Sequence, residues 1–489
     1  MSDYNFLMES RLSPEQFQVL THLSRIAHAQ GMNLYLVGGA VRDLTYGQQV
    51  VRDLDFTVEG NAQKILRQLE AKRSVGADLP VLEIDHQHFD ARLNSAELAF
   101  TNGVRVEIAM SREEVYAKLG RRPDVSPAGI FEDLRRRDFS VNAIAVSLHP
   151  NSRGLLLDPT NGAADIEKHE LRALHSRSFS EDPSRLYRLI RLGLRLDFKP
   201  EERTKLWQES ALENRVWERM EADQQGRELR ATLQEENPGR VLKALAGLGL
   251  LAGLDRKLAA SRLPFDQFAK IRNVVRGVPG ADSFLLNFHC LTAKLGGGQK
   301  NRLAKAIFSD RKTMNMALGL EGAAKKLAKT LAGSKGSLPS QVYSLLVDQP
   351  QPLLLFLLVN YPQAKIQARV KSFLFKSPVA RAKMPRAELL TLGLEAGAKF
   401  DKIFHRLFLD QLDGKIKTHK QLLKEFRELA GIKEPIAKPV AKPVAKPIAK
   451  PMAKAVVKPV AKPIAKPTAK PVAKPAAPPP KVHKKKTKK

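Results

Sequence analysis

The first third of the chain alternates short apolar runs with turn residues, a pattern that predicts a mixed α and β fold. Ser13 is followed by proline and, three residues after the serine, by glutamine, which predicts a capped helix start. Leu34–Val37 predicts a short buried strand that runs directly into a diglycine. Asp53–Val58 predicts a second strand, and a helix is expected from about residue 62 to 72.

A hairpin and then a long helical region complete the pattern. Asn102 and Gly103 separate two apolar runs and are a strong signal for a tight β-hairpin turn. From about residue 180 onward the strand signals disappear, and apolar residues recur with the period of an α-helix. The clearest such series is Phe400, Ile403, Phe404, Leu407 and Phe408. The pattern therefore predicts an α+β chain: an amino-terminal domain that bears a sheet, followed by a long all-helical region.

Composition narrows the class of protein. The 489 residues carry 82 Lys and Arg against 51 Asp and Glu, a formal net charge of +31, and their number predicts two to four folded units. Cys290 is the one cysteine, which excludes a disulfide framework and a cysteine-built zinc site. The amino terminus has no apolar leader, and Leu353–Val359, the longest apolar run, is much shorter than the roughly 20 residues that cross a bilayer. We expect a soluble, cytoplasmic protein that does not contact membranes.

Much of the positive charge lies in a low-complexity tail. Pro435–Lys489 repeats AKPV-like tetrapeptides, contains 16 lysines and no acid, and ends in HKKKTKK. Frequent proline and few aromatic residues predict an extended, disordered arm rather than a core. Such a polycation can bind phosphate backbones without sequence preference, with Lys484, Lys485 and Lys486 as candidate RNA contacts. The alternative is a spacer or an appendage that increases solubility.

Two acids in the second predicted strand are the first candidates for catalysis. Asp53 and Asp55 are two positions apart, so on a strand their side chains share one face while Leu54 and Phe56 face the core. Two neighbouring carboxylates repel each other unless a cation lies between them, and Mg²⁺ prefers such oxygen ligands together with phosphate oxygens. The alternative is a solvated strand face near a turn.

The diglycine and a following arginine suggest a phosphate site. Gly38 and Gly39, between strand and helix, allow the backbone to approach an anion at a helix amino terminus. Arg42 lies one turn further and could add its guanidinium donors. The alternative is a tight turn followed by an exposed arginine, which the same residues would also produce.

Two further segments combine acids with arginines. In Arg135–Ala143, an acid and an asparagine interrupt an apolar run, which predicts a polar pocket suited to ribose and phosphate. In Glu181–Arg188, Asp182 and Arg185 are three apart and share a helix face, so they offer one acceptor and one donor. That pair matches the Watson–Crick edges of cytosine and adenine rather than guanine and uracil. The alternative is a helix capped by Asp182 with a solvated stripe of Arg185, Arg188, Arg191 and Arg195.

In this order and spacing, the motifs resemble the class II tRNA nucleotidyltransferase family, which includes the CCA-adding enzymes and the bacterial poly(A) polymerases. The resemblance covers roughly residues 33 to 200 and is specific because several motifs agree. The matching strings are Leu36–Asp43, Asp53–Asp55, Arg136–Ala143, Asp158-Pro159 with Gly162 and Asp165, and Glu181–Arg185.

The resemblance implies roles for these residues. Asp53 and Asp55 would be catalytic and would bind the Mg²⁺ ions, with Glu107 as a weaker additional candidate. Gly39 and Arg42 would bind the triphosphate, Arg137 would lie near the ribose, and Asp182 and Arg185 would select C and A. The implied nucleotide-binding set is Gly38, Gly39, Arg42, Arg137, Asp138, Asn142, Asp182, Arg185 and Arg188.

The resemblance also implies an architecture and a reaction. A polymerase-beta-like head with a mixed sheet would be followed by all-α neck, body and tail domains, and the tRNA 3′-hydroxyl would attack the α-phosphate of CTP or ATP. The expected boundaries are 1–12 for an extension, 13–175 for the head, 176–255 for the neck, 256–433 for an RNA-binding body and tail, and 434–489 for the basic arm.

Three functions are separated by their products. Addition of CCA to tRNA is the leading hypothesis, and the compact stretch between Arg112 and Arg135 leaves a CC-adding or A-adding enzyme open. Poly(A) addition is the second hypothesis, although the basic-aromatic string typical of bacterial poly(A) polymerases is not apparent between Leu79 and Phe100. The third is an RNA-binding protein without catalysis that acts through its lysine arm.

Overall fold

The structure is a computed structural model that describes residues 3–47, 51–71, 81–333 and 338–432. The chain divides into two units, Met1–Ile432 and Lys433–Lys489. The second unit corresponds to the predicted basic arm, including Lys484, Lys485 and Lys486, and lies outside the described residues. The finer boundaries at residues 175 and 255 stay predictions.

The amino-terminal part contains the described strands apart from one short later strand. They are β1 (Asn33–Val37), β2 (Leu54–Glu59), β3 (Ile84–Asp90), β4 (Ser95–Phe100), β5 (Arg105–Met110), β6 (Arg112–Val115), β7 (Asp124–Pro127), β8 (Ala145–Ser147), β9 (Leu156–Leu157), β10 (Glu170–Leu171) and β11 (Lys199–Pro200).

Seven strands form one mixed sheet in the order β3-β4-β5-β2-β1-β8-β9. β2 and β5 are parallel, whereas the other neighbours in this sheet are antiparallel. The predicted hairpin joins β4 and β5, and Gly103 in its turn has φ +86°, which glycine adopts without a Cβ penalty. β6 pairs with β7, and β10 pairs with β11, in two separate two-stranded ladders. The predicted mixed sheet is therefore confirmed.

Eight helices lie between the amino terminus and residue 196 in the described ranges. They are α1 (Tyr4–Arg11), α2 (Pro14–Ala29), α3 (Gly39–Tyr46), α4 (Ala62–Glu70), α5 (Ile130–Arg135), α6 (Gly162–Lys168), α7 (Ser178–Glu181) and α8 (Ser184–Leu196). Short 3₁₀ turns occur at Ser140–Asn142 and Pro150–Ser152.

The remainder of the described chain is almost entirely helical. Its elements are α9 (Glu202–Glu213), a 3₁₀ turn (Val216–Arg219), α10 (Ala222–Leu233), α11 (Pro238–Gly247), α12 (Leu251–Leu254), α13 (Arg256–Ala259), α14 (Phe265–Arg276), α15 (Phe284–Thr292), α16 (Gly297–Ile307), α17 (Arg311–Ala332), α18 (Pro339–Leu346), α19 (Gln351–Asn360), α20 (Ala364–Lys371), a π-helical turn (Ser372–Lys376), α21 (Ser377–Ala382), α22 (Arg386–Thr391), α23 (Ala398–Leu412) and α24 (His419–Ala430).

Local sequence accounts for several element boundaries. Ser13 caps α2 with the predicted capping box, in which Ser13 Oγ accepts from the Gln16 amide and the Gln16 side chain accepts from the Ser13 amide. β2 begins at Leu54, so Asp53 immediately precedes the strand instead of starting it. The expectation of helices alone after residue 180 is wrong at β11, because two residues there pair with β10.

The two faces of strand β2 determine where the chemistry lies. Leu54, Phe56 and Val58 are buried in the main hydrophobic core, which continues from the sheet into the helical region as far as Val370. The opposite face carries Asp55 and Thr57. It lies on the same side of the sheet as a smaller hydrophobic core between the sheet and α5. Because side chains alternate along a strand, burial of the apolar set fixes Asp55 on the face away from the main core.

Among the described residues, no single helix is long and apolar enough to cross a membrane. The helix pair α18 and α19 meets the length and composition criteria only when taken together, and it is bent by 118°. The apolar run predicted at Leu353–Val359 is buried inside α19.

Candidate active site

One cleft brings together nearly all of the residues predicted to bind nucleotide. Its volume is about 710 Å³, and its walls come from β1, β2, β5, the segment after α5, and helices α8 and α10. Every head and neck residue of the predicted site lines it except Asp53, which is exposed just before β2. The members in the cleft wall are Gly38, Gly39, Arg42, Asp55, Arg137, Asp138, Asn142, Asp182, Arg185 and Arg188.

Asp55 is held between two other strands in the middle of the sheet. Its neighbour on β1 is Val37, and its neighbour on β5 is Glu107, which also lines the cleft. Burial, together with the negative charges of Glu107 and Asp53, raises the pKa of Asp55 to about 7, although Arg137 and Arg42 act in the opposite direction. In the described residues, no group of three or more His, Cys, Asp and Glu side chains has the geometry to hold a metal ion. The cation ligands predicted from sequence, Asp53 and Asp55, stay a prediction; Asp55 lines the cleft, whereas Asp53 does not.

The diglycine forms the turn from β1 into α3 beside Asp55. Gly38 has φ +63°, and a Cβ there would lie 3.0 Å from Arg137 Nη1 and 3.8 Å from Asp55 Oδ2. A Cβ on Gly39 would lie 3.7 Å from the same carboxylate oxygen. Gly38 therefore requires glycine for its positive φ and for the close approach of Arg137, whereas the distance at Gly39 is an ordinary van der Waals contact. The amino terminus of α3 opens toward the cleft, where it favours an anion.

Four predicted residues form a continuous hydrogen-bonded chain across the cleft. Arg42 Nη1 donates to Asn142 Oδ1 at 2.5 Å, Asn142 Nδ2 donates to Asp138 Oδ1 at 3.1 Å, and Arg188 Nη2 is 2.9 Å from Asp138 Oδ2. Arg42 is also paired with Asp43 at 2.7 Å. Burial acts to raise the pKa of Asp138, but Arg188 and Asn142 outweigh it and hold this pKa below its usual value. Asp138 is thus an anion that connects the phosphate side to helix α8.

Asp182 and Arg185 lie at the start of α8, as both alternatives predicted, but Arg185 is buried instead of solvated. Asp182 Oδ1 accepts from the amide and hydroxyl of Ser184, and the helix begins at Ser184. Arg185 is 3% exposed; it donates to Ser178 Oγ and to the Arg136 carbonyl, each at 2.8 Å.

The solvated arginine stripe on α8 is therefore wrong as a description of these residues. Arg185 is buried, Arg188 pairs with Asp138, and Arg191 is 3.0 Å from Glu228. The Nε atom of Arg185 lies 3.9 Å from Asp182 Oδ2 and is buried without a hydrogen-bond partner. A buried donor without an acceptor is costly, so this pair retains hydrogen-bonding capacity for a ligand.

Sequence reasoning missed several residues that shape the cleft. Asp133 pairs with Arg136 and Arg137, and Thr57 accepts from Arg137 Nη2 at 3.1 Å. Glu114 and Tyr116 line the cleft near Arg185, and Glu114 Oε1 accepts from Arg136 Nη1 at 2.9 Å. Only Asp133 had a local signal, because it precedes Arg136 and Arg137 by three and four residues on a helical segment.

Comparison with known proteins supports the same assignment for the head. Residues 34–172 match the family described as the poly A polymerase head domain, which confirms there the resemblance that the motifs predict.

Similarity also extends along most of the chain. The chain is 25% identical over 422 residues to the A-adding tRNA nucleotidyltransferase of Geobacter sulfurreducens, covering 84% of this chain and 47% of that protein. It is 28% identical over 435 residues to the A-adding tRNA nucleotidyltransferase of Halalkalibacterium halodurans, covering 88% of this chain and 96% of that protein. The chain therefore spans about half of the first relative and nearly all of the second.

Among solved structures, the Thermotoga maritima CCA-adding enzyme complexed with tRNA(CCA) is similar at 25% identity and a TM-score of 0.44. The match covers 88% of this chain and 99% of that chain.

Proposed function

We propose that this chain, whose residues 34–172 match the poly A polymerase head domain, is a template-independent nucleotidyltransferase that adds C and A residues to the 3′ end of tRNA. The observation that carries the proposal is the shared cleft, in which Asp55, the glycine turn and the Asp182–Arg185 pair face one cavity. Relatives named tRNA nucleotidyltransferases that match most of this chain support tRNA as the substrate.

Different residues of this chain would bind the triphosphate and lie near the ribose. The backbone N–H groups at the amino terminus of α3, from Gly39 onward, would bind the triphosphate, because the Gly38 N–H already donates to the Ile144 carbonyl. Arg137, beside both Gly38 and Asp55, adds positive charge near the reacting phosphate and the ribose. The RNA 3′-hydroxyl then attacks the α-phosphate, the bond between the α-phosphorus and the bridging oxygen breaks, and pyrophosphate leaves.

Base choice would depend on one acceptor and one donor at the start of α8. Asp182 accepts from the exocyclic amino group of cytosine or adenine, and Arg185 donates to the adjacent ring nitrogen. Guanine and uracil present a carbonyl and a ring N–H at these positions, so they would leave both protein groups unpaired.

Two carboxylates fit Mg²⁺: Asp55, which lines the cleft, and Asp53, which is exposed just before β2. Asp55 has its pKa raised to about 7 by burial and by Glu107 and Asp53, and a divalent cation would relieve that repulsion. Asp53 and Asp55 would hold the ion, and carboxylate oxygens are the ligands that Mg²⁺ prefers. When bound, the ion supplies charge neutralisation at the phosphates and lowers the pKa of the attacking hydroxyl.

Incorporation of labelled nucleotides tests the proposal directly. The full chain is incubated with tRNA lacking its 3′ CCA, or ending in CC, with CTP, ATP, GTP or UTP offered singly and CTP and ATP together. We expect Mg²⁺-dependent incorporation of C and A that Asp55→Ala abolishes. The matched control is Asp85→Ala, because Asp85 is an exposed acid on β3 that does not line the cleft.

The other hypotheses predict different products in the same assay. Incorporation of A alone onto tRNA ending in CC identifies an A-adding enzyme, the activity named for both relatives. Long A tails on generic RNA identify a poly(A) polymerase. RNA binding without turnover in the parent identifies a binding protein without catalysis. The cytoplasmic location and the nucleic-acid role of Lys484, Lys485 and Lys486 remain predictions from sequence.

A further inference from the structure

Asp133 on α5 is the most heavily bonded buried acid next to the cleft. Its side chain is fully buried and accepts five hydrogen bonds: two from Arg136, two from Arg137 and one from the backbone amide of Arg112. It is not itself among the residues that line the cleft. Its influence on a ligand must therefore pass through the arginines that it binds.

One carboxylate oxygen fixes the arginine next to the catalytic acid. Asp133 Oδ2 accepts from Arg137 Nε at 3.2 Å and Nη2 at 2.9 Å. The same guanidinium donates to Thr57 Oγ1 at 3.1 Å and lies at the position where a Cβ on Gly38 would contact it. Arg137 is thus held in a single orientation, and the part of its guanidinium that these bonds leave free faces the cleft.

The other carboxylate oxygen fixes the segment that supports base selection. Asp133 Oδ1 accepts from Arg136 Nε at 3.0 Å and Nη2 at 2.6 Å. The backbone carbonyl of Arg136 accepts from Arg185 Nη2 at 2.8 Å, and this is one of two hydrogen bonds by which the structure holds Arg185. The orientation of Arg185 therefore depends on where Arg136 is held.

The charge of Asp133 is central to this arrangement. Burial alone would raise its pKa, but Arg137 and Arg136 outweigh burial and keep the pKa below its usual value. An asparagine at this position would turn an NH₂ group toward one of the two guanidinium groups, where two donors would face each other. The substitution would therefore release at least one arginine rather than weaken both contacts evenly.

We propose that Asp133 is a positioning residue that fixes Arg137 at the triphosphate and, through Arg136, Arg185 at the base, so that one buried carboxylate sets both nucleotide affinity and base choice. The inference rests on the proposed function for the identity of the ligand, and it adds a residue outside the cleft to the groups that determine specificity.

The test compares Asp133→Asn with Asp255→Asn in the full chain. Asp255 is also a buried acid paired with an arginine, Arg302, but it lies in the helical region and does not line the cleft. For Asp133→Asn we expect KM for CTP and ATP to rise about 10- to 100-fold, since the loss of a hydrogen bond to a charged group weakens binding by roughly that factor. We also expect incorporation of G and U relative to C and A to increase. Asp255→Asn should lower the unfolding midpoint but change neither KM nor base choice.

A second variant keeps the test decisive if Asp133→Asn does not fold. Asp133→Glu retains the charge but moves the carboxylate outward by one methylene, so a folded Asp133→Glu should show raised KM with a near-normal unfolding midpoint. Parent-like KM and base choice in whichever variant folds would overturn the inference. An equal rise in KM for Asp255→Asn would also overturn it, because the effect would then follow general destabilisation.

Equilibrium binding of ATP and CTP, measured separately, distinguishes failure of this inference from failure of the proposed function. A parent that binds both nucleotides but transfers neither refutes the proposed reaction, while the comparison of dissociation constants still tests Asp133. A dissociation constant for Asp133→Asn equal to that of the parent refutes the positioning role whatever the activity.

Discussion

Neutralising Asp55 should stabilise the metal-free protein while it removes activity. Asp55 lies between Val37 and Glu107 in the central sheet, where burial and two neighbouring carboxylates oppose its ionisation. The substitution Asp55→Asn keeps the shape of the side chain but removes the charge. A residue that reduces the stability of the fold without a bound cation is what a metal-binding role predicts.

The sign and size of this stability change follow from the pKa of Asp55. Asp55 titrates at about 7 in the folded chain against 3.8 for an ordinary Asp, so between these pH values the folded state binds the proton and the unfolded state does not. The stability that the protonated Asp55 side chain contributes to the folded state is therefore fully present below pH 3.8 and is lost as the pH rises through 7. About three pKa units correspond to roughly 4 kcal/mol as an upper value. Since the side chain is partly exposed to the cleft, we expect about 2 kcal/mol.

The assay is urea unfolding in EDTA at pH 5.5 and pH 8, followed by circular dichroism. For the parent we expect a lower free energy of unfolding at pH 8, and for Asp55→Asn a gain of about 2 kcal/mol at pH 8 with a smaller difference between the two pH values. Asp53→Asn is the matched control: by the proposal it also abolishes transfer, but Asp53 is exposed outside β2, so its gain should be much smaller.

Added Mg²⁺ should make the parent more stable than Asp55→Asn at pH 8. It should stabilise the parent at pH 8, because an ion that binds only the folded state shifts the equilibrium toward it, and it should leave Asp55→Asn nearly unchanged. If Asp55→Asn is no more stable than the parent at pH 8 in EDTA, the electrostatic account of this strand is refuted.

Three further predictions concern the glycine turn, the metal and the tail. Gly38→Ala should raise KM for both nucleotides at least tenfold, because φ +63° and a Cβ 3.0 Å from Arg137 Nη1 strain the turn. Gly431→Ala, at a helix end with open space around it, should leave KM unchanged. An equal effect of both substitutions would contradict the close-approach argument. Removing divalent ions with EDTA should abolish nucleotide incorporation and Mg²⁺ should restore it in an incorporation assay; full activity in EDTA would refute the role of the acidic pair. Deleting Pro435–Lys489 should weaken RNA binding and flatten its salt dependence in a titration at several salt concentrations while leaving base choice unchanged, and an altered C-to-A ratio would argue against a purely electrostatic arm.

Much of the head could be predicted from sequence because its signals are local. The capping box at Ser13, the glycine turn after β1 and the hairpin turn at Gly103 each depend on a few consecutive residues. The alternation around Phe56 likewise determined which face of β2 carries Asp55. These features follow from backbone sterics and from the two-residue period of a strand, which act over less than about ten residues.

The environment of the arginines could not be predicted in this way. Spacing left a solvated stripe on α8 open as the alternative, yet Arg185 is buried and donates to the carbonyl of Arg136, which is 49 residues earlier. Arg188 likewise depends on Asp138 from another element. Whether a guanidinium is solvated or paired depends on what folds against it, and the pattern of a single helix does not contain that information.

By itself, then, the sequence determined the types of element and the residues suited to phosphate, base and cation chemistry. Tertiary structure alone decided that Asp55 shares a cleft with Asp182 and Arg185, and that buried Asp133 pairs with both Arg136 and Arg137, which line it. The reason is the range of the forces involved: propensity and periodicity act along the chain, whereas burial, charge pairing and pKa depend on neighbours that only folding brings together.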